Sequence, residues 1–353
     1  MDIFSLIHLA ASQGASDLHL IASSSPQFRI NGMLRSADGI SALTPEDINQ
    51  AFNQLTSDKE RVDFERCLEL DFGYTLSDIG RLRCNVSKHR GTIRLVIRLL
   101  PWTVPTLDEL GLPEVCKELV LKPRGLVVVS GPGGSGKSTT LSAMINHLNH
   151  RESRHVITIE DPIEYVYYNE KCIITQRELG IDTLSFAEAL KHALRQDPDV
   201  ILVGEMRDLV TAETVLTTAE TGHLVLTTSH APSSSQAIER IVDLFPPHER
   251  TSAQSRLASL LLGVLYQALI PKVDGSGRTV AVEIMLATPA VKNLIREGKI
   301  YQLPSTMRTQ SKQGMVLFDQ ALANLYLKEI ISGEDMFAWC NNRGDVEQFC
   351  GKF

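Results

Sequence analysis

Residues 126–139 read Leu126-Val127-Val128-Val129-Ser130-Gly131-Pro132-Gly133-Gly134-Ser135-Gly136-Lys137-Ser138-Thr139. The first five have the apolar, β-branched character of a buried strand, and a helical pattern starts at Ser138. Between them, residues 131–138 satisfy G-x-x-x-x-G-K-[ST], the phosphate loop, in the strand–loop–helix context it requires. Glycines let backbone N–H groups curl around phosphate oxygens without Cβ clashes. The helix that follows offers unpaired N–H groups and the positive end of its dipole. Gly131, Gly133, Gly134, Ser135, Gly136, Lys137, Ser138 and Thr139 are therefore the expected nucleotide contacts. Lys137 should reach the β- and γ-phosphates, and Ser138 should hold Mg²⁺.

Outward from this loop, buried strands alternate with helices. Strand patterns fall at residues 126–130, 155–159, 200–203 and 224–228, and helix patterns at 138–148, 186–195 and 211–221. This alternation predicts an α/β core around a parallel sheet, with the ligand at the carboxyl ends of the strands. Three further strands end in groups suited to hydrolysis. One runs into Glu160-Asp161-Pro162-Ile163-Glu164, one into Gly204-Glu205-Met206-Arg207-Asp208, and one into Ser229-His230. Mg²⁺ takes oxygen ligands, often through water, and the strand-end acids are suited to supply them. Spacing leaves open which of Glu160, Asp161 and Glu164 is the base. His223 precedes the strand that His230 follows, so about 20 Å separates them. It is expected to be structural.

Before the loop, residues 1–100 read as an α+β domain. A helix is predicted at 4–11, with strands at 17–22, 27–30, 81–86 and 92–99. Asn31-Gly32 marks a hairpin, and Thr44-Pro45-Glu46-Asp47 starts a helix. Pro101, Pro105 and Pro113 make 101–121 read as a linker to a second domain over 122–353. That domain is expected to be mostly helical from about residue 232. No internal repeat is visible.

A chain of 353 residues is long enough for two domains. Hydrophobic residues make up 43% and charged residues 22%, the mix of a globular protein. The net charge of −7 gives no support to whole-surface nucleic-acid binding. The longest apolar stretch, 257–270, is shorter than the roughly 20 residues of a membrane-spanning helix. The N-terminus lacks a basic leader before an apolar block, so it does not read as a secretory signal. None of the six cysteines is spaced C-x-x-C, which fits reduced thiols and a cytoplasmic location.

Residues 81–98 carry Arg81, Arg83, Lys88, Arg90, Arg94 and Arg98 and no acid. A solvated ribbon, a nucleic-acid surface and an arginine finger compete for this stretch. The aromatics that a nucleic-acid ribbon would interleave are missing, which favours the finger over nucleic acid.

Six motifs in order resemble the type IV pilus retraction ATPases, the PilT-like branch of the secretion-ATPase superfamily. ASDLHL at 15–20 is similar to the N-terminal signature, and GPGGSGKST at 131–139 to the Walker A loop. ITIEDPIEYV at 157–166 resembles the Asp box, and LRQDPDVILVGEMRD at 194–208 the Walker B region. TGHLVLTTSH at 221–230 resembles the His box, and TPAVKNLIREGK at 288–299 the C-terminal retraction motif. The resemblance implies a PAS-like N-terminal domain, a RecA-like ATPase core and a homo-hexameric ring with ATP between the two domains. It implies Glu164 as catalytic base, Glu205 as Walker B acid and His230 as the group that contacts the γ-phosphate. Arg83 and Arg98 would be offered to the nucleotide across domains. The ring would work in the cytoplasm, peripheral to the inner membrane, on the pilus platform protein, and a second retraction ATPase is a possible partner. A PilU-like paralogue and a pilus-assembly or type II secretion ATPase are the alternatives. The assembly and secretion enzymes usually add an N-terminal domain and a four-cysteine metal motif. Departures are Gly133 for the usual threonine, 231–235 without threonines, and Lys292 for an arginine.

Overall fold

The computed structural model describes residues 2–30, 32–37, 39–100 and 103–351. The chain divides into two compact units. One is the chain up to Thr103 together with Pro162–Val166; the other is Val104–Asp161 together with the chain from Tyr167 on.

The first unit holds β1 (Asp17–Ile21), β2 (Gln27–Ile30), β3 (Met33–Ser36), β4 (Glu69–Leu76), β5 (Gly80–His89) and β6 (Thr92–Leu99), in the order β3-β2-β1-β6-β5-β4. Every neighbouring pair is antiparallel. Period-two patterning decides which face is buried. Leu82, Cys84 and Val86 of β5 and Ile93, Leu95 and Ile97 of β6 enter the core, and Arg83, Arg94 and Arg98 stay exposed. Helices Ile3–Ser12, Pro45–Leu55 and Asp58–Cys67 cover the apolar side. Thr44 closes a capping box with Asp47 as its spacing suggests, and Ser57 closes a second with Glu60. Asn31 of the expected hairpin and Pro101 of the expected linker lie outside the described residues. The flanking strands pair as a hairpin would, with Ile30 opposite Met33.

The second unit is built on β7 (Gly125–Ser130), β8 (His155–Glu160), β9 (Ile173–Glu178), β10 (Val200–Val203), β11 (Leu224–Ser229), β12 (Leu261–Pro271) and β13 (Arg278–Leu286). Their order is β13-β12-β7-β11-β10-β8-β9. All neighbours are parallel except β12 and β13. The fold class is thus α/β. Alternate residues of β7 serve different cores, Leu126 and Val128 on one face and Val127 and Val129 on the other. Burial on both faces explains the unbroken apolar run of that strand.

Two expectations need adjusting. Helices predominate beyond residue 232, but the segment also holds β12 and β13, a long antiparallel hairpin whose first strand pairs with β7. A run apolar on every side fits a buried helix and a buried strand equally well. Here the helix Arg250–Leu260 stops inside the run, and Leu261 begins the strand. Gly263 sits where a Cβ would come within 3.2 Å of the Met285 carbonyl, so close strand approach favours glycine there. The stretch read as a linker is also structured. Leu107, Leu112, Cys116, Leu119 and Val120 are buried in the second unit's core, and Val115–Val120 is helical. Its prolines mark turns in a packed segment. β4, β9 and the helix Asp58–Cys67 were not anticipated, and β3 was expected only as the second run of the Asn31-Gly32 hairpin.

Candidate functional site

The carboxyl ends of β7, β11, β10 and β8 lie side by side in that order. Register fixes their level: Ser130 is opposite Ser229, and Val203 is opposite both Thr227 and Ile159. The segments that follow these strands therefore emerge at one edge of the sheet.

After β7 the chain makes the 131–136 loop and enters the helix Lys137–Arg151. Three helices that follow strands of this sheet or lie between them start on a side-chain cap, Ser185, Asp208 or Ser233. This one starts at Gly136 in the left-handed region, and no side chain among the described residues caps it. Its first-turn N–H groups and dipole are thus directed at the loop. Lys137 is 8% exposed, and its Nζ donates to the carbonyls of Gly131 and Pro132, both at 2.9 Å. Gly131 N–H donates to Ser229 O at 3.3 Å, and Ser130 Oγ donates to Ala231 O at 2.8 Å. The loop is thereby tied to the segment that carries His230.

Glu205 and His230 meet. His230 Nε2 lies 3.3 Å from Glu205 Oε1, and Arg207 Nε lies 2.7 Å from Glu205 Oε2. Thr228 Oγ1 donates to Gly204 O at 2.5 Å and locks the two strand ends together. These groups line a cavity of about 390 Å³ with Met206, Ser229 and Arg240. Glu160 is buried at the end of β8, accepting from Thr158 Oγ1 at 2.6 Å and Gln176 Nε2 at 3.2 Å. Both of these bonds fall on Oε1. A second cavity of about 320 Å³ opens beside Gly136 and Thr139, lined by Leu110, Leu112, Leu269 and Arg278. The Ser138 hydroxyl and the Glu205 carboxylate are hard oxygen donors, the type Mg²⁺ takes.

Glu164, Arg83 and Arg98 fall in the first unit, and Asp161 in the second. Glu164 lies in Pro162–Val166, half-exposed between the buried Ile163 and Tyr165. Arg83 and Arg98 are register partners on the exposed face of β5 and β6. Like charges placed directly opposite repel, and the Asp17 carboxylate offsets part of the Arg98 charge. Arg98 Nε donates to Asp17 Oδ1 at 2.8 Å. His223 has Nδ1 at 3.0 Å from both Thr218 O and Thr221 Oγ1, and so finishes the helix before β11. The C-terminal motif forms the helix Pro289–Arg296, with Val291 and Ile295 buried and Leu294 packed against the same core.

The family described as "Type II/IV secretion system protein" matches residues 2–321. The chain belongs to this family. Among curated relatives, the type IV pilus retractation ATPase PilT of Pseudomonas aeruginosa is 46% identical, over 95% of this chain and 97% of that protein. The type IV pilus ATPase PilU of the same organism is 40% identical over 98% and 90%. The crystal structure of the pilus retraction motor PilT with bound ADP superposes with a TM-score of 0.93 at 42% identity, covering 99% of each chain.

Within this type II/IV secretion system chain, four participants at the sheet edge escaped the sequence reading. Arg207 pairs with Glu205, Thr228 and Ser130 brace the strand ends, and Gln267 of β12 contacts the phosphate loop. Gln267 had a signal: it is the only amide in the otherwise apolar stretch 261–270. Among the described residues no helix is long and apolar enough to cross a membrane.

Proposed function

We propose that this chain is an ATP-hydrolysing motor that drives type IV pilus retraction. The observation that carries the reading is the phosphate loop at the head of a parallel sheet with His230 and Glu205 meeting at the ends of the next two strands, in a chain 46% identical to PilT along nearly its whole length. It is an ATPase of the retraction type. The finer reading makes the first unit PAS-like and the second RecA-like, supported by the antiparallel and parallel sheets respectively.

In this reading the loop N–H groups from Gly131 to Thr139 hold the phosphates, and Lys137 neutralises the β/γ oxygens. Water attacks the γ-phosphorus while the bond to the β-phosphate oxygen breaks, giving ADP and phosphate. Glu164 accepts the water's proton, a role supported by its motif match. His230, 3.3 Å from Glu205, reads the γ-phosphate. Arg83 and Arg98 supply positive charge for the spreading negative charge, supported by their opposed register. Ser138 and, through water, Glu205 would hold Mg²⁺, which when bound neutralises the phosphate oxygens. A homo-hexameric ring, peripheral to the cytoplasmic face of the inner membrane and acting on the pilus platform protein beside a second retraction ATPase, completes the proposal.

Replacing Lys137 or Glu205 by alanine should lower ATP turnover by at least about 10³-fold. Wild-type turnover in Lys137→Ala would sink the site. In cells, loss of the gene should leave surface pili abundant and movement absent; bald cells would mean an assembly motor instead.

A further inference from the structure

Behind the phosphate loop lies a buried amide that no hydrolytic step uses. Gln267 sits in the middle of β12 and is 1% exposed. Its Nε2 donates to the Ser135 carbonyl at 2.7 Å, and its Oε1 accepts from Thr140 Oγ1 at 2.8 Å. Ser135 and Thr140 are themselves buried. The orientation of the amide is determined by its partners. A carbonyl can only accept, so it must face the NH₂ end, and the hydroxyl must then donate to the other end. Both ends of a side chain that is costly to bury are thus committed to the loop and to the first turn of its helix.

Planarity of the peptide bond gives this contact a consequence. The Ser135 C=O and the Gly136 N–H belong to one plane and point in opposite directions. Holding the carbonyl against β12 turns the Gly136 N–H the other way, into the concave side of the loop. Left-handed Gly136 (φ +88°) gives this peptide unusual freedom to rotate. A Cβ there would stand 3.2 Å from Gln267 Nε2, so side chain and glycine are closely fitted. Strand β12 can impose the orientation because it is paired directly to β7, with Tyr266 opposite Ser130.

We infer that Gln267 is a positioning residue for nucleotide: it clamps the Ser135–Gly136 peptide so that the Gly136 N–H faces phosphate, with Thr140 locking the clamp. The inference rests on the nucleotide reading of the loop. A preset N–H binds phosphate oxygens alike in the ground and transition states, so its loss raises KM and spares kcat.

The test is steady-state hydrolysis of MgATP and titration with MgADP, using the full chain. Gln267→Glu replaces the donor by an oxygen facing the Ser135 carbonyl. It should raise KM for ATP and Kd for ADP about 10- to 100-fold, with kcat within about threefold of wild type. Thr140→Val should shift both constants in the same direction by a smaller factor with kcat unchanged, and it lowers the ligand-free unfolding temperature modestly because Gln267 Oε1 loses its donor. Thr140→Ser, which keeps the hydroxyl, should restore affinity. Thr140→Val decides the matter should Gln267→Glu not fold. Unchanged KM in the folded variants overturns the inference. So does a joint fall of kcat, affinity and ligand-free unfolding temperature, which would mean a packing role only. Failure of the unaltered chain to bind MgATP or MgADP would instead overturn the nucleotide reading itself.

Discussion

Three of the four glycines of the phosphate loop, Gly131, Gly133 and Gly136, should respond very differently to alanine. At Gly131 the backbone has φ +150°, and an added Cβ would fall 2.3 Å from the Gln267 carbonyl oxygen and 2.6 Å from Ser135 Oγ. The first is rigid backbone of a central strand. Backbone strain of about 1–3 kcal/mol and overpacking of about 1–3 kcal/mol sum to roughly 2–6 kcal/mol. For a unit of this size that lowers the unfolding temperature by roughly 5–20 °C. Gly136→Ala meets a side chain and no backbone, the engaged Gln267 amide at 3.2 Å, which must give by a few tenths of an ångström, so its main cost is the left-handed backbone, about 1–2 kcal/mol. At Gly133 nothing lies within 4 Å of the added Cβ and φ is ordinary. Alanine there should stabilise by about 0.4–1 kcal/mol through the unfolded chain. Thermal unfolding of the ligand-free chain, followed by far-ultraviolet circular dichroism, ranks the three. Gly131→Ala melting at or above Gly133→Ala would refute the reasoning, because it would mean the loop does not press against β12.

Two more predictions concern the first unit and the thiols. Burial acts to raise the Asp17 pKa, but hydrogen bonds from Arg98 and Ser16 and the Arg98 charge outweigh it and leave it lowered. A lowered carboxylate contributes stability that is complete above its unfolded pKa, about 3.9, and is lost as pH falls through the folded value. Arg98→Ala should therefore move acid unfolding to higher pH, and an unchanged acid midpoint would show that the ion pair contributes nothing. Burial pushes the Cys84 and Cys116 thiols up to about 12. At pH 8 about one in ten thousand of each is thiolate. Iodoacetamide should modify exposed Cys67 at least about a hundredfold faster than either, as read by peptide mass spectrometry. Equal labelling would mean that these cores open readily.

Much of the second unit could be read from residues because several local signals agreed. Strand β10 has the bounds 200–203 expected for it, since Val200 to Val203 are buried on both faces and flanked by breakers. Glu205 and His230 were legible as neighbours because parallel strands of known order deliver their carboxyl ends to one edge. What stayed hidden depended on pairing across long stretches of chain. The run around Leu261 became a strand because β7 had an open side. The segment after Pro105 became core because Leu107 and Leu112 found apolar partners. Gln267 looked like an interruption in an apolar run until its amide proved to be engaged at both ends.

Strand β7 also sets a timetable for biosynthesis. Its two neighbours, β11 and β12, lie roughly a hundred and well over a hundred residues downstream. Such distant pairings form slowly and late. A nascent chain therefore leaves the ribosome with its phosphate loop written but unsupported. It becomes able to grip nucleotide only after residues near 271 have cleared the exit tunnel, which spares the cell half-made motors that consume fuel.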